Sequence, residues 1–165
     1  MIKVFITNTK AYNEGKIIGE WVDLFEITKE ELKEKINEIL RKGGGEEVFI
    51  SDYESTLENL EIEEFTNIFE LKNFIDELPE DEEDIDKIDF LLSQGYSIED
   101  ALDIYDYTEY YPRMTLEDVA EELVDDGVFG DIPETIKHYI DYEKLGRDLC
   151  LDGYVETPKG VFRYL

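Results

Sequence analysis

The sequence of 165 residues holds one cysteine, one histidine, one tryptophan and four prolines. A single thiol, Cys150, can form no internal disulfide, which fits a reducing cytoplasm. Cys150 falls on the apolar side of a predicted helix and reads as a core thiol. One histidine, His138, and one cysteine cannot build a zinc site. No window carries the spaced acids, glycine and distal glutamate of an EF-hand loop, and the acidic run at 80–86 reads as a solvated face. His138 also has no partner pattern for nucleophilic catalysis, and it reads as packing beside the helix that follows Pro133. Gly43-Gly44-Gly45 lacks the Lys-Ser/Thr of a phosphate loop and follows a helix instead of a strand. No stretch approaches the ~18 apolar residues of a membrane span, and the N-terminus lacks the basic and apolar regions of a signal peptide. These residue types offer no recognisable metal site and no nucleophile–base arrangement.

Basic charge is scarce too. Sixteen Lys+Arg face 44 Asp+Glu, for a formal net charge of −28. Such a chain is not drawn to DNA, RNA or anionic membranes by its overall field. Its 42% hydrophobic content, with 11 Tyr and 9 Phe, nevertheless exceeds that of a disordered acidic tail. The charge is also unevenly spread. Residues 1–42 hold eight acids and eight bases, and residues 137–165 hold five of each. Residues 43–136 hold 31 acids against Lys72, Lys87 and Arg113, so the whole excess lies in the middle, and no base occurs between Gly43 and Leu71. Self-repulsion of this size destabilises a compact chain and exceeds what solubility needs.

Local patterns place this charge on structure. Lys3–Asn8 alternates as a strand, and Ile17–Asp23 reads as its hairpin partner across the turn Asn13-Glu14-Gly15. Thr28 with Glu31 forms a capping box ahead of Leu32, Ile36, Ile39 and Leu40; the three glycines end that helix and Val48–Ile50 is a third strand. An amphipathic helix is expected over Phe65, Ile68, Phe69, Leu71, Lys72, Phe74, Ile75 and Leu78, entered at Asn67 and ended by Pro79. Ile85, Ile88, Leu91 and Leu92 mark a second helix before Gly95. Ser97 with Asp100 and Thr115 with Asp118 cap two more. Helices after Pro133 and from Tyr142, then a hairpin from Tyr154 to Tyr164 around Pro158-Lys159-Gly160, complete the chain. The class is α+β, with an N-terminal β-β-α-β unit over 1–60, an acidic helical unit over 61–104, and C-terminal helices with a β-hairpin over 105–165.

Carboxylates along consecutive helices with almost no cations have one specific use. B-DNA carries one negative charge per roughly 1.7 Å of axis, so 31 carboxylates at that density cover about 50 Å, and a dimer's cover about 105 Å, near 30 base pairs. The plainer readings are a solvated acidic surface or a halophile's composition; abundant Lys, Ile, Phe and Tyr argue against the latter.

The residues also carry a resemblance. Phe5-Ile-Thr-Asn8, Tyr12-Asn-Glu-Gly15 and Gly19-Glu-Trp-Val-Asp23 resemble the opening of the ArdA antirestriction proteins. Ser51-Asp-Tyr-Glu54 and Asn59-Leu-Glu-Ile-Glu-Glu-Phe65 resemble the segments that follow. Thr115-Leu-Glu-Asp-Val-Ala-Glu-Glu-Leu123 with Ile132-Pro-Glu-Thr-Ile-Lys-His-Tyr-Ile-Asp-Tyr142 is similar to the region of the antirestriction motif, and Lys144-Leu-Gly-Arg-Asp148 and Val161-Phe162 complete it. Gly146 stands where that family would have Ala, and the stretch from Tyr107 to Pro112 lacks an expected Gly. The resemblance implies an elongated, DNA-mimicking homodimer of three small pieces, carried by mobile genetic elements. It implies no catalysis and no cofactor, with the inhibitor occupying the DNA groove between the specificity and modification subunits of Type I restriction-modification enzymes. Glu63, Asp81, Glu82, Asp84, Asp86, Asp103, Asp106, Glu109 and Asp125 are the expected phosphate surrogates. Val128 and Phe129, just past a helix end, are the expected dimer contact. The alternative is an acidic module that sequesters basic DNA-binding proteins; an enzyme using carboxylates alone comes third.

Overall fold

The computed structural model describes residues 1–164 of the chain. Alternation puts Ile2, Val4 and Ile6 on one face of β1 (Ile2–Asn8), where all three are fully buried. β1 is the central strand of a sheet, with β2 (Gly19–Asp23) and β3 (Val48–Ser55) antiparallel on either side. Against β3 the register slips after Phe5↔Asp52 to Ile6↔Ile50, which leaves Ser51 as a bulge. α2 (Lys29–Gly43) connects β2 to β3 and buries Leu32 and Ile39. Its capping box is complete: the Glu31 N–H donates to Thr28 Oγ1 at 3.2 Å and the Thr28 N–H donates to the Glu31 carboxylate at 2.9 Å.

The β1–β2 connection differs from the expected hairpin. A single helical turn, α1 (Thr9–Asn13), follows β1, and β2 starts at Gly19, leaving Ile17 exposed. Asn8 is the cause. Its buried side chain accepts the Ala11 N–H and donates to the Gly44 carbonyl, each at 2.8 Å, so the chain is turned into a helix before it returns.

Short capped helices form the middle. α3 (Ile68–Glu77) is capped by Asn67, α4 (Glu82–Ser93) by Asp81 and α5 (Ile98–Ile104) by Ser97. Phe65 was expected in the apolar stripe of α3, but the helix begins at Ile68 and Phe65 stays 86% exposed. After a 3₁₀ turn (Tyr105–Tyr107) comes β4 (Glu109–Pro112), absent from the sequence reading because no turn joins it to a neighbouring strand and it forms only by pairing with β6 (Gly160–Arg163), near the end of the chain. α6 (Leu116–Asp125) has the second capping box, Thr115 with Asp118, and stops before Gly127 at φ 73°. α7 (Glu134–Lys137) is one turn, and α8 (Tyr142–Leu149) runs into a 3₁₀ turn (Cys150–Asp152). That tightening changes the period, so Leu149 is buried while Cys150 is exposed, contrary to the expected core thiol. His138, at the end of α7, is exposed as well.

β5 (Tyr154–Thr157) and β6 (Gly160–Arg163) form the expected hairpin, and β4 joins its other side to give a sheet of order β4-β6-β5. The fold is therefore α+β. β6 is buried on both faces. Val161 packs with Val119, Ala120, Leu123, Leu149 and Tyr154, whereas Phe162 belongs to the larger core that runs from β1 through α2, α3 and α4. Two apolar clusters thus meet across one strand, residue by residue.

Candidate functional site

Folding sorts the charges of the middle stretch by sign. Of its acids, only Asp89 is buried and only Asp84, Asp86 and Glu122 are half-buried; all others are exposed. Two of the three cations are taken up internally. Lys72 is 4% exposed and pairs with Asp76, and Lys87 bonds Asp84 at 2.9 Å. The outcome is a surface of carboxylates carried by α3, α4, α5 and α6, whose apolar faces are turned to the cores.

The expected surrogates are in three kinds of place. Glu63, Glu82, Asp103 and Asp106 are exposed and have no ion-pair partner among the described residues. Asp81 is exposed but employed, accepting the Glu83 N–H at 2.9 Å and the Asp84 N–H at 3.4 Å as the cap of α4. Asp84, Asp86, Glu109 and Asp125 each pair with a cation: Lys87 at 2.9 Å, Lys159 at 2.7 Å, Arg163 at 3.3 Å and Lys137 at 2.7 Å. Hydrogen bonds to Asp125 and Glu134 hold the Lys137 ammonium above the usual lysine range. Val128 and Phe129 are exposed beyond the end of α6, with Ile136 and Tyr139 of the next segment also exposed.

Sequence reasoning missed the junction between α4 and the second sheet. Asp89 accepts from the Asn59 N–H at 2.9 Å and the Asn59 side chain at 3.2 Å, and lies 3.5 Å from Lys159 Nζ. Lys159 also holds Asp86, and the single proton of the Tyr110 hydroxyl is shared between Asp86 at 3.3 Å and the Lys159 carbonyl at 3.1 Å. Burial works against the Lys159 ammonium, but its bond to Asp86 and the charges of both aspartates outweigh that and raise its pKa. Beside this network the Phe162 ring stacks between Phe90 at 4.3 Å and Tyr110 at 4.2 Å, nearly parallel to both. One signal was present in the sequence: Asp89 stands between Ile88 and Phe90, on the inner side of its helix.

Among the described residues no group of three or more His, Cys, Asp or Glu is arranged to hold a metal ion, and no helix is long and apolar enough to cross a membrane. What the molecule offers is an ordered acidic exterior. A family model described as antirestriction protein matches residues 4–163, nearly the whole chain. The protein belongs to that family, ArdA. Its class is accordingly that of antirestriction inhibitors, which interact with restriction-modification enzymes and are not known to be enzymes themselves. None of the curated proteins compared with the chain matches it.

Proposed function

We propose that this protein inhibits Type I restriction-modification enzymes by lying in the DNA groove formed by their specificity and modification subunits, with its carboxylates in the place of phosphates. The observation that carries this reading is the sorting of charge. The acids of residues 43–136 are almost all exposed, while Lys72 and Lys87 are consumed in internal pairs. A surface meant only for solubility needs no such one-sidedness.

Glu63, Glu82, Asp103 and Asp106 are the free members of the track. Asp81, Asp84, Asp86, Glu109 and Asp125 contribute charge while also fixing helix ends and junctions. Val128 and Phe129 support a two-fold contact, since both are exposed apolar side chains in an acidic region and pairing them would join two acidic arms. Attraction is collective: each exposed carboxylate is worth about 1 kcal/mol or less, so no single one decides binding.

The test is competition. A purified Type I methyltransferase is loaded with labelled duplex DNA carrying its recognition site, and the protein is titrated in. Stoichiometric release of DNA supports the mimic; an acidic module that only sequesters basic proteins would leave the specific complex intact.

A further inference from the structure

The turn from Glu63 to Thr66 presents an aromatic ring to solvent in the middle of the acidic stretch. The Thr66 N–H donates to the Glu63 carbonyl at 3.0 Å, and the Glu63 N–H donates back to the Thr66 hydroxyl at 2.9 Å. The Ile50 N–H donates to the Glu64 carbonyl at 3.2 Å, which ties the turn to β3. On the other side Asn67 caps α3 by accepting the Phe69 N–H at 3.0 Å. Four hydrogen bonds therefore fix a turn whose tip is Phe65, with its side chain 86% exposed. Ile62 and Ile68 on either side are buried and supply the local core, so the ring adds nothing to it. Glu61, Glu63 and Glu64 around it are exposed, and the cation–π contact found among the described residues, Arg163 over Tyr154, does not involve this ring.

Resting on the inhibitor reading above, we propose that Phe65 is an anchor for an arginine of the partner enzyme's DNA groove. The ring face receives the guanidinium plane, and the neighbouring carboxylates of Glu63 and Glu64 receive its N–H groups. Charge selects this occupant. A second copy of the chain brings more carboxylates, and an anionic lipid surface is repelled, whereas a groove that holds phosphates is lined with cations. Arginine suits the site better than lysine because its planar, weakly hydrated cation both stacks on a ring and bonds carboxylates through its fork. The fixed turn means that little ordering is left to be done on binding.

The test uses the full chain, a purified Type I methyltransferase and labelled recognition-site DNA. Phe65→Ala is expected to weaken DNA displacement about tenfold with no change in melting temperature. Phe65→Leu, which keeps apolar area but has no aromatic face, is expected to lose nearly as much, and Phe65→Tyr to keep parental activity. Parental inhibition by a folded Phe65→Ala would overturn the anchor alone, and full activity of Phe65→Leu would replace the arginine contact by plain apolar burial. A parent protein that never displaces DNA would overturn the inhibitor reading and the anchor with it.

Discussion

Phe162 is the side chain on which the junction between the acidic helix α4 and the second sheet most depends. It is 1% exposed, and its ring lies parallel to Phe90 on one side and Tyr110 on the other. Phe162→Ala removes the middle of a three-ring stack and leaves a cavity that Phe90 on a helix and Tyr110 on a strand cannot both move to fill. Buried Phe→Ala changes cost about 3–5 kcal/mol, a large share of the roughly 5–15 kcal/mol by which a domain is stable. At about 2–4 °C per kcal/mol for a chain of this size, the melting temperature should fall by roughly 6–20 °C. Phe162→Leu keeps most of the apolar volume and forfeits the ring–ring contacts, worth about 0.5–1.5 kcal/mol each, so it should fall between parent and Phe162→Ala. Thermal unfolding followed by circular dichroism reads both. A Phe162→Ala protein melting within about 2 °C of the parent would refute the claim that this stack holds the two clusters together.

Gly146 of α8 lies so close to α6 that an added Cβ would be 2.7 Å from the Leu116 carbonyl carbon and oxygen. Gly146→Ala should therefore destabilise by about 1–2 kcal/mol in urea titration, although Gly→Ala inside a helix ordinarily stabilises by about 1 kcal/mol. Glu31 and Asp118 are held below the usual carboxylate range, first by the backbone N–H of Thr28 and Thr115 and then by their hydroxyls. Because the folded values are lowered, this stabilisation is complete above the ordinary carboxylate range and is lost as pH falls through the folded values. The double variant Glu31→Gln, Asp118→Asn should thus lose less melting temperature between pH 6 and pH 3 than the parent does; an equal loss would remove the caps from the acid response. On the proposed two-fold contact, Phe129→Ala should shift sedimentation toward monomer, and self-association of the parent should weaken at low salt, where two chains of −28 repel most. A fully dimeric Phe129→Ala protein would move the contact elsewhere.

Much of the fold is legible where a single side chain sets local geometry. Asn67, Ser97 and the two capping boxes begin helices as expected, since the cap residue satisfies orphan N–H groups within three positions of itself. α1 and β4 are not legible, because each depends on partners far along the chain: the side chain of Asn8 reaches Gly44, and β4 exists through its pairing with β6. Sequence also located the acidic stretch, because charge excess is a property of composition. It gave no indication that Asp86, Glu109 and Asp125 would meet Lys159, Arg163 and Lys137, since those cations come from the electrically balanced last segment. The spacing of Phe65 extends the apolar stripe of α3 backwards, but the Asn67 cap starts the helix after it, so its place outside the helix is not legible from periodicity.

The central claim is that carboxylates stand in for phosphates, and the salt dependence of enzyme binding tests it most directly. Affinity of the purified protein for a Type I methyltransferase is measured by calorimetry at several salt concentrations between about 0.1 M and 1 M, where the screening length falls from about 10 Å to about 3 Å. The account predicts a steady loss of affinity across that range, parallel to the enzyme's loss of affinity for its own DNA. An affinity that stays flat while DNA binding weakens would show an apolar interface and contradict the mimic.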